Sequence, residues 1–162
     1  MRTILLSAIA AAALSMSTLA GADETTKLTK FTFSKPVQLP GKTLPAGTYR
    51  FELADPQETR RVIKVSSEDG SKQIAMLLTI PNTMRDAAKD PMVMFGETAA
   101  ADPIAVKAWV YPGERTGYEF IYPHDEAVTL AKRYHTKVLS KSGDKVERVD
   151  ESGTSSSADD SR

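Results

Sequence analysis

The chain has 162 residues, no cysteine, two histidines and 21 basic against 21 acidic side chains. That length fits one domain with tails, and the lack of cysteine excludes disulfides, thiolate metal centres, thiol nucleophiles and a lipid-modified cysteine. A formal net charge of zero excludes the basic face that a general nucleic-acid binder needs.

The N-terminus has three parts. Arg2 supplies a positive charge, residues 4–14 form an apolar run rich in alanine, and Ala20-Gly21-Ala22 has the small-x-small form that signal peptidase accepts. This is the pattern of a secretory signal peptide spanning residues 1–22. The apolar run is too short for a spanning helix, which needs about 20 residues. The expected location is therefore outside the cytoplasm, periplasmic or extracellular, where the 23–162 chain carries a net charge of −1. Nicotinamide and ATP chemistry do not suit that compartment, and no phosphate-cradling glycine loop occurs in the sequence.

Period-two alternation then dominates. Phe31 and Phe33 alternate with Lys30, Thr32 and Ser34, the pattern of a half-buried strand. Pro40-Gly41 and Pro45-Ala46-Gly47 mark two turns at a sheet edge. Tyr49, Phe51 and Leu53 share one face of a second strand, and Val62, Ile63 and Val65 make a third. Asp69-Gly70 is a hairpin signal. Residues 73–80 place Ile74, Met76, Leu78 and Ile80 on one face and Ala75 and Leu77 on the other, which reads as a central strand covered on both sides. Residues 81–91 read as a long polar loop, residues 92–95 as another apolar strand, and residues 105–111 and 117–122 as a hairpin across Pro112-Gly113.

The period changes after Pro123. Ala127, Leu130, Ala131 and Tyr134 fall at i, i+3, i+4 and i+7, one face of a helix. Asp125 and Glu126 at its start and Lys132 and Arg133 at its end match the helix dipole. From Ser140 on the chain is polar and serine-rich, which predicts disorder over residues 140–162. The whole reads as a single mainly β domain over residues 23–139: an antiparallel β-sandwich or small barrel with one short C-terminal helix.

The segment Val37-Gln38-Leu39-Pro40-Gly41-Lys42-Thr43-Leu44-Pro45-Ala46-Gly47-Thr48-Tyr49-Arg50-Phe51, with Lys107-Ala108-Trp109-Val110-Tyr111-Pro112-Gly113 and Gly117-Tyr118-Glu119-Phe120-Ile121-Tyr122-Pro123, resembles a group of small exported proteins of environmental bacteria, acidobacteria in particular. The similarity spans residues 31–138. That group has no assigned activity, so the resemblance implies export and a β-domain and nothing about chemistry.

The residues themselves bear on four chemistries. His124 and His135 lack the spacing of a zinc site and read as surface histidines, so no metal or other cofactor is expected there. Met92 and Met94 share a strand face, with Met76 and Met84 as possible neighbours; thioethers bind Cu(I), but alternating methionines are also ordinary core filler. Glu114, Glu119, His124 and Asp125 supply the acid–base groups of a small hydrolase, provided they converge. Lys107, Trp109 and Tyr111 share one face of a strand and, if that face is outward, form an aromatic platform with a cation for a sugar or peptide; the alternative places Trp109 in the core. The leading expectation is a non-enzymatic exported β-domain with a binding or structural role in the cell envelope, its partner a small molecule, glycan or protein. A hydrolase and a copper carrier stand as alternatives.

Overall fold

Among the described residues, thirteen short strands and one helix carry the alternations through into structure. The protein is described by a computed structural model covering residues 26–57, 59–90, 92–95 and 103–158. The expected signal peptide, residues 1–22, lies outside the described residues. In chain order the elements are β1 (Thr29–Phe33), β2 (Val37–Leu39), β3 (Lys42–Leu44), β4 (Gly47–Asp55), β5 (Thr59–Ser67), β6 (Gln73–Thr83), β7 (Met92–Phe95), β8 (Ile104–Val110), β9 (Thr116–Phe120), β10 (Tyr122–Pro123), α1 (His124–Tyr134), β11 (Val138–Ser142), β12 (Lys145–Val149) and β13 (Ser155–Ser157).

They form two sheets with no closed barrel, a mainly β architecture consistent with a sandwich carrying one helix. The larger sheet runs β1-β4-β5-β6-β9-β8-β2-β3, with β7 paired to β8; the smaller runs β10-β11-β12-β13. In the larger sheet four strands separate β1 from β8. Even so, Trp109 on β8 donates its indole N–H to Thr29 Oγ1 on β1 at 2.8 Å. The large sheet therefore curls until its two ends face one core. Thr29, Phe31 and Phe33 all point inward there, and Phe31 meets Phe51 edge-on at 5.4 Å. Such aromatic pairs add about 0.5–1.5 kcal/mol beyond area burial.

The helix buries the four residues its periodicity picks out: Ala127, Leu130, Ala131 and Tyr134. It is too short to be stable alone and is fixed by tertiary bonds. The Tyr134 hydroxyl accepts the Ala105 N–H of β8 at 2.9 Å, and Glu126 Oε2 accepts the Gly41 N–H at 3.0 Å. Its C-terminus closes on His135 in the left-handed region at φ 50°.

Three expectations need correction. The segment expected to be disordered from residue 140 is folded to Ser157: β11 and β12 pair from Val138↔Val149 to Ser142↔Lys145, and β13 extends the meander. Residues 159–162 lie outside the described residues. Two turns replace the hydrophobic signal that was sought. Gly143 takes a positive φ between Ser142 and Lys145, and the Asp150 carboxylate accepts from the Ser152 N–H and hydroxyl and the Thr154 N–H. Residues 81–83, read as loop, belong to β6 and pair with β9. The rest of that loop is laced to the β8–β9 turn, with Ala88 N–H donating to Glu114 O and Gly113 N–H to Ala88 O. Finally, β6 is not covered on both sides: Met76 and Leu78 are 49% and 46% exposed, while Leu77 is buried.

The β5–β6 hairpin repeats the Asp150 device. Asp69 Oδ1 accepts from Ser67 Oγ, Ser71 N–H and Ser71 Oγ, while Gly70 sits at φ +78°, where a side chain would meet the Arg50 guanidinium. The Ser67 hydroxyl and the Ser71 N–H and hydroxyl hold the Asp69 carboxyl down at about 2. A carboxyl depressed on folding stabilises above its unfolded pKa of about 4, and that contribution is lost as pH falls through about 2. An NMR titration is expected to place the Asp69 midpoint near 2, and Ser67→Ala to raise it; a midpoint at the ordinary aspartate value in both forms would mean that the turn does not form in solution.

Candidate functional site

Lys107, Trp109 and Tyr111 do not make an outward platform. β8 is a central strand, flanked by β9 on one edge and by β7 and β2 on the other. Trp109 is fully buried, its ring 5.3 Å from that of Tyr118, its cross-strand neighbour. Lys107 and Tyr111 are half-buried. Lys107 borders an apolar crevice beneath α1 of about 20 Å³, room for roughly one water and no ligand.

The hydrolase quartet is dispersed among separate partners. Glu114 pairs with Lys27. Glu119 is buried and held by both terminal nitrogens of Arg148, at 3.0 and 2.9 Å. His124 Nδ1 lies 3.3 Å from Ser140 Oγ and 3.8 Å from Glu147. Asp125 is exposed in the first turn of α1. The copper expectation on Met92 and Met94 concerns side chains outside the described part of the structure. Met76 and Met84 are eight residues apart along one extended course, about 26 Å, and do not share a site.

Clefts of ligand size lie at two places among the described residues. One surrounds Lys27, a residue at φ 54° that sequence reasoning passed over because it lies in a polar N-terminal stretch. Its ammonium binds Glu114, lies 3.4 Å from the Tyr118 hydroxyl and sits 5.9 and 5.8 Å from the Tyr111 and Tyr118 ring centres. The cleft measures about 330 Å³ and Arg115 also lines it, while the Lys27 ammonium is paired with Glu114. Lys27 ties the segment before β1 to β9 and the turn that precedes it.

The second is an apolar groove of about 400 Å³ between the first half of β6 and the β10–β11 pair, within the range of roughly 300–1,000 Å³ typical of ligand sites. Met76, Leu78, Ile121, Pro40 and Pro123 line it, and Lys141 is its one charged lining residue among those described. The groove exists because β9 ends at Phe120 and the chain leaves β6 there: Ile121 N–H still bonds Leu78 O at 3.0 Å, and Tyr122 then pairs with Ser140 in the other sheet. Tyr122 anchors this departure. Its hydroxyl reaches Val106 O at 2.7 Å and Gln38 O at 3.1 Å, and burial, with the nearby Glu126 and Tyr134 adding to it, pushes its phenol well above the usual range. The two-faced apolar pattern of β6 was visible in sequence; that one face stays open follows only from where β9 ends.

Comparisons of the chain with protein-family models, with curated proteins and with solved structures find no match. Among the described residues no helix is long and apolar enough to cross a membrane.

Proposed function

We propose that the chain is an exported, non-enzymatic β-domain that binds a partner in the cell envelope or outside it through the groove between β6 and β10. The observation that carries this reading is the pair Met76 and Leu78, both about half exposed on a strand whose opposite face buries Leu77 and Thr79. The dispersal of Glu114, Glu119, His124 and Asp125 favours binding over hydrolysis. Export is supported by Arg2, the apolar run after it and the Ala20-Gly21-Ala22 site.

Magnitudes limit what the groove can do with apolar contact alone. Completing the burial of two half-exposed side chains contributes on the order of 1 kcal/mol each. A complex with a dissociation constant of 1 mM already needs about 4 kcal/mol. A useful partner must therefore add polar bonds to the apolar contact.

The test uses an apolar fluorescent dye of the anilinonaphthalene type on the folded chain recovered from the extracytoplasmic fraction. That chain is expected to begin at Asp23. The native protein is expected to bind the dye, and Met76→Lys with Leu78→Lys to lose most of that binding with an unchanged melting temperature. Equal dye binding by the double variant would remove the groove as the binding surface.

A further inference from the structure

The groove has a main-chain edge as well as an apolar wall. In antiparallel pairing, successive residues turn their N–H and C=O alternately toward the partner strand and away from it. Lys42 Nζ donates to Ile74 O at 3.0 Å, and Ile121 N–H donates to Leu78 O. Residues 76 and 78 therefore turn away from β5, and so does the carbonyl of Ile74, the extra residue where the β5–β6 register shifts. β6 meets β9 only from Thr79 onward, so among the described residues no strand covers Ile74 and Met76. The Met76 donor and acceptor point into the groove, and at Ile74 the cover is one exposed lysine side chain. An open strand edge is a template for another strand, and an edge lysine is a usual guard against unwanted pairing.

We propose that this edge receives an extended acidic peptide as an added strand, an inference that rests on reading the groove as the binding site. The peptide backbone pairs with Ile74 and Met76, replacing Lys42 at Ile74 O. Alternate peptide side chains then lie against Met76, Leu78 and Ile121, the usual division in which main-chain bonds give affinity and alternate pockets give specificity. Charge selects an acidic partner. Lys42, once displaced, and Lys141 on the opposite wall are both exposed cations. Against them stands one helix carboxylate, Glu126, which accepts the Gly41 N–H and keeps its charge. A second copy of the chain pairing through the same edge would bring in the same two lysines, and like charges across paired strands oppose association.

The experiment selects displayed random heptapeptides on the folded full chain and measures binding of the enriched sequences by amide chemical shifts and titration. Enrichment of Asp and Glu alternating with apolar residues is expected, with the largest shifts at Ile74 and Met76. N-methylation of the two peptide amides facing β6 is expected to weaken binding at least tenfold, as is Lys42→Glu, which leaves the core untouched. Higher salt is expected to weaken it as well. Basic or uncharged selected peptides, or N-methylated peptides that bind equally well, overturn strand addition by an acidic segment while leaving the groove as a binding surface. No enrichment, in a protein that still binds the apolar dye, overturns the peptide class alone. Loss of both signals removes the binding reading as well. Concentration-dependent dimerisation abolished by Lys42→Glu or by Met76→Lys assigns the edge to a second copy and overturns the proposal.

Discussion

Replacing Arg148 with alanine is expected to destabilise the fold by about 3–5 kcal/mol, the cost of stranding a buried charge. Arg148 belongs to β12 and Glu119 to β9, so this pair joins the two sheets. Both groups are nearly sealed, with side-chain exposures of 11% and 3%, and the fork geometry is bidentate. Asn82 Nδ2 approaches the same carboxylate at 3.4 Å. With the guanidinium gone, β12 has lost this tie to β9 and Glu119 has no cation, while the Tyr122 bonds from β10 remain. Urea denaturation measures the loss. The paired replacement Glu119→Gln with Arg148→Met is expected to recover most of it, because both charges leave together. A loss under 1 kcal/mol for Arg148→Ala would show that this ion pair does not hold the small sheet. The same geometry predicts that a chain ending at Ser140 is worse than Arg148→Ala, since it also removes the fully buried Val149. The consequence reaches the groove, because β11 supplies its Lys141 wall.

Much of this architecture is legible in single residues, and the failures have two causes. The helix was readable because four apolar residues at helical spacing have one solution: a docked face. β1 and β4 were readable because alternating aromatics on a polar background specify one buried side. The end of β11, β12 and β13 escaped because their pairing is carried by Gly143, Asp150 and the Arg148–Glu119 bond, with only Leu139 and Val149 as fully buried apolar residues in the meander. A composition rule reads such a stretch as solvated; the turn chemistry around Gly143 and Asp150 was the available signal. The groove escaped for a different reason. Whether Met76 faces a neighbour or solvent depends on where a strand forty residues later stops. Local pattern contains no information about that long-range pairing.

Trp109→Ala is expected to cost about 3–5 kcal/mol, as large-to-small core changes do, while Lys107→Ala two residues earlier stays within about 0.5 kcal/mol. The contrast separates the core reading of this strand from the platform reading. Trp109 fills the space between β8 and β1 of the curled sheet, tilted against Tyr118 and bonded to Thr29. Thr29 Oγ1 in turn donates to Phe51 O at 3.3 Å, so the indole closes a short polar chain inside an apolar core. Trp109→Phe keeps most of the volume and loses only the N–H, and is expected to cost about 1–2 kcal/mol. Because Trp109 is the chain's only tryptophan, its fluorescence gives an independent reading in the unaltered protein. Emission is expected to be that of a buried indole, shielded from soluble quenchers until unfolding and unresponsive to sugars. A Trp109→Ala protein as stable as the parent, or quenching of the native indole at the rate of the unfolded chain, would put the ring back at the surface. The binding surface would then have to be sought on β8 instead of on the open edge of β6.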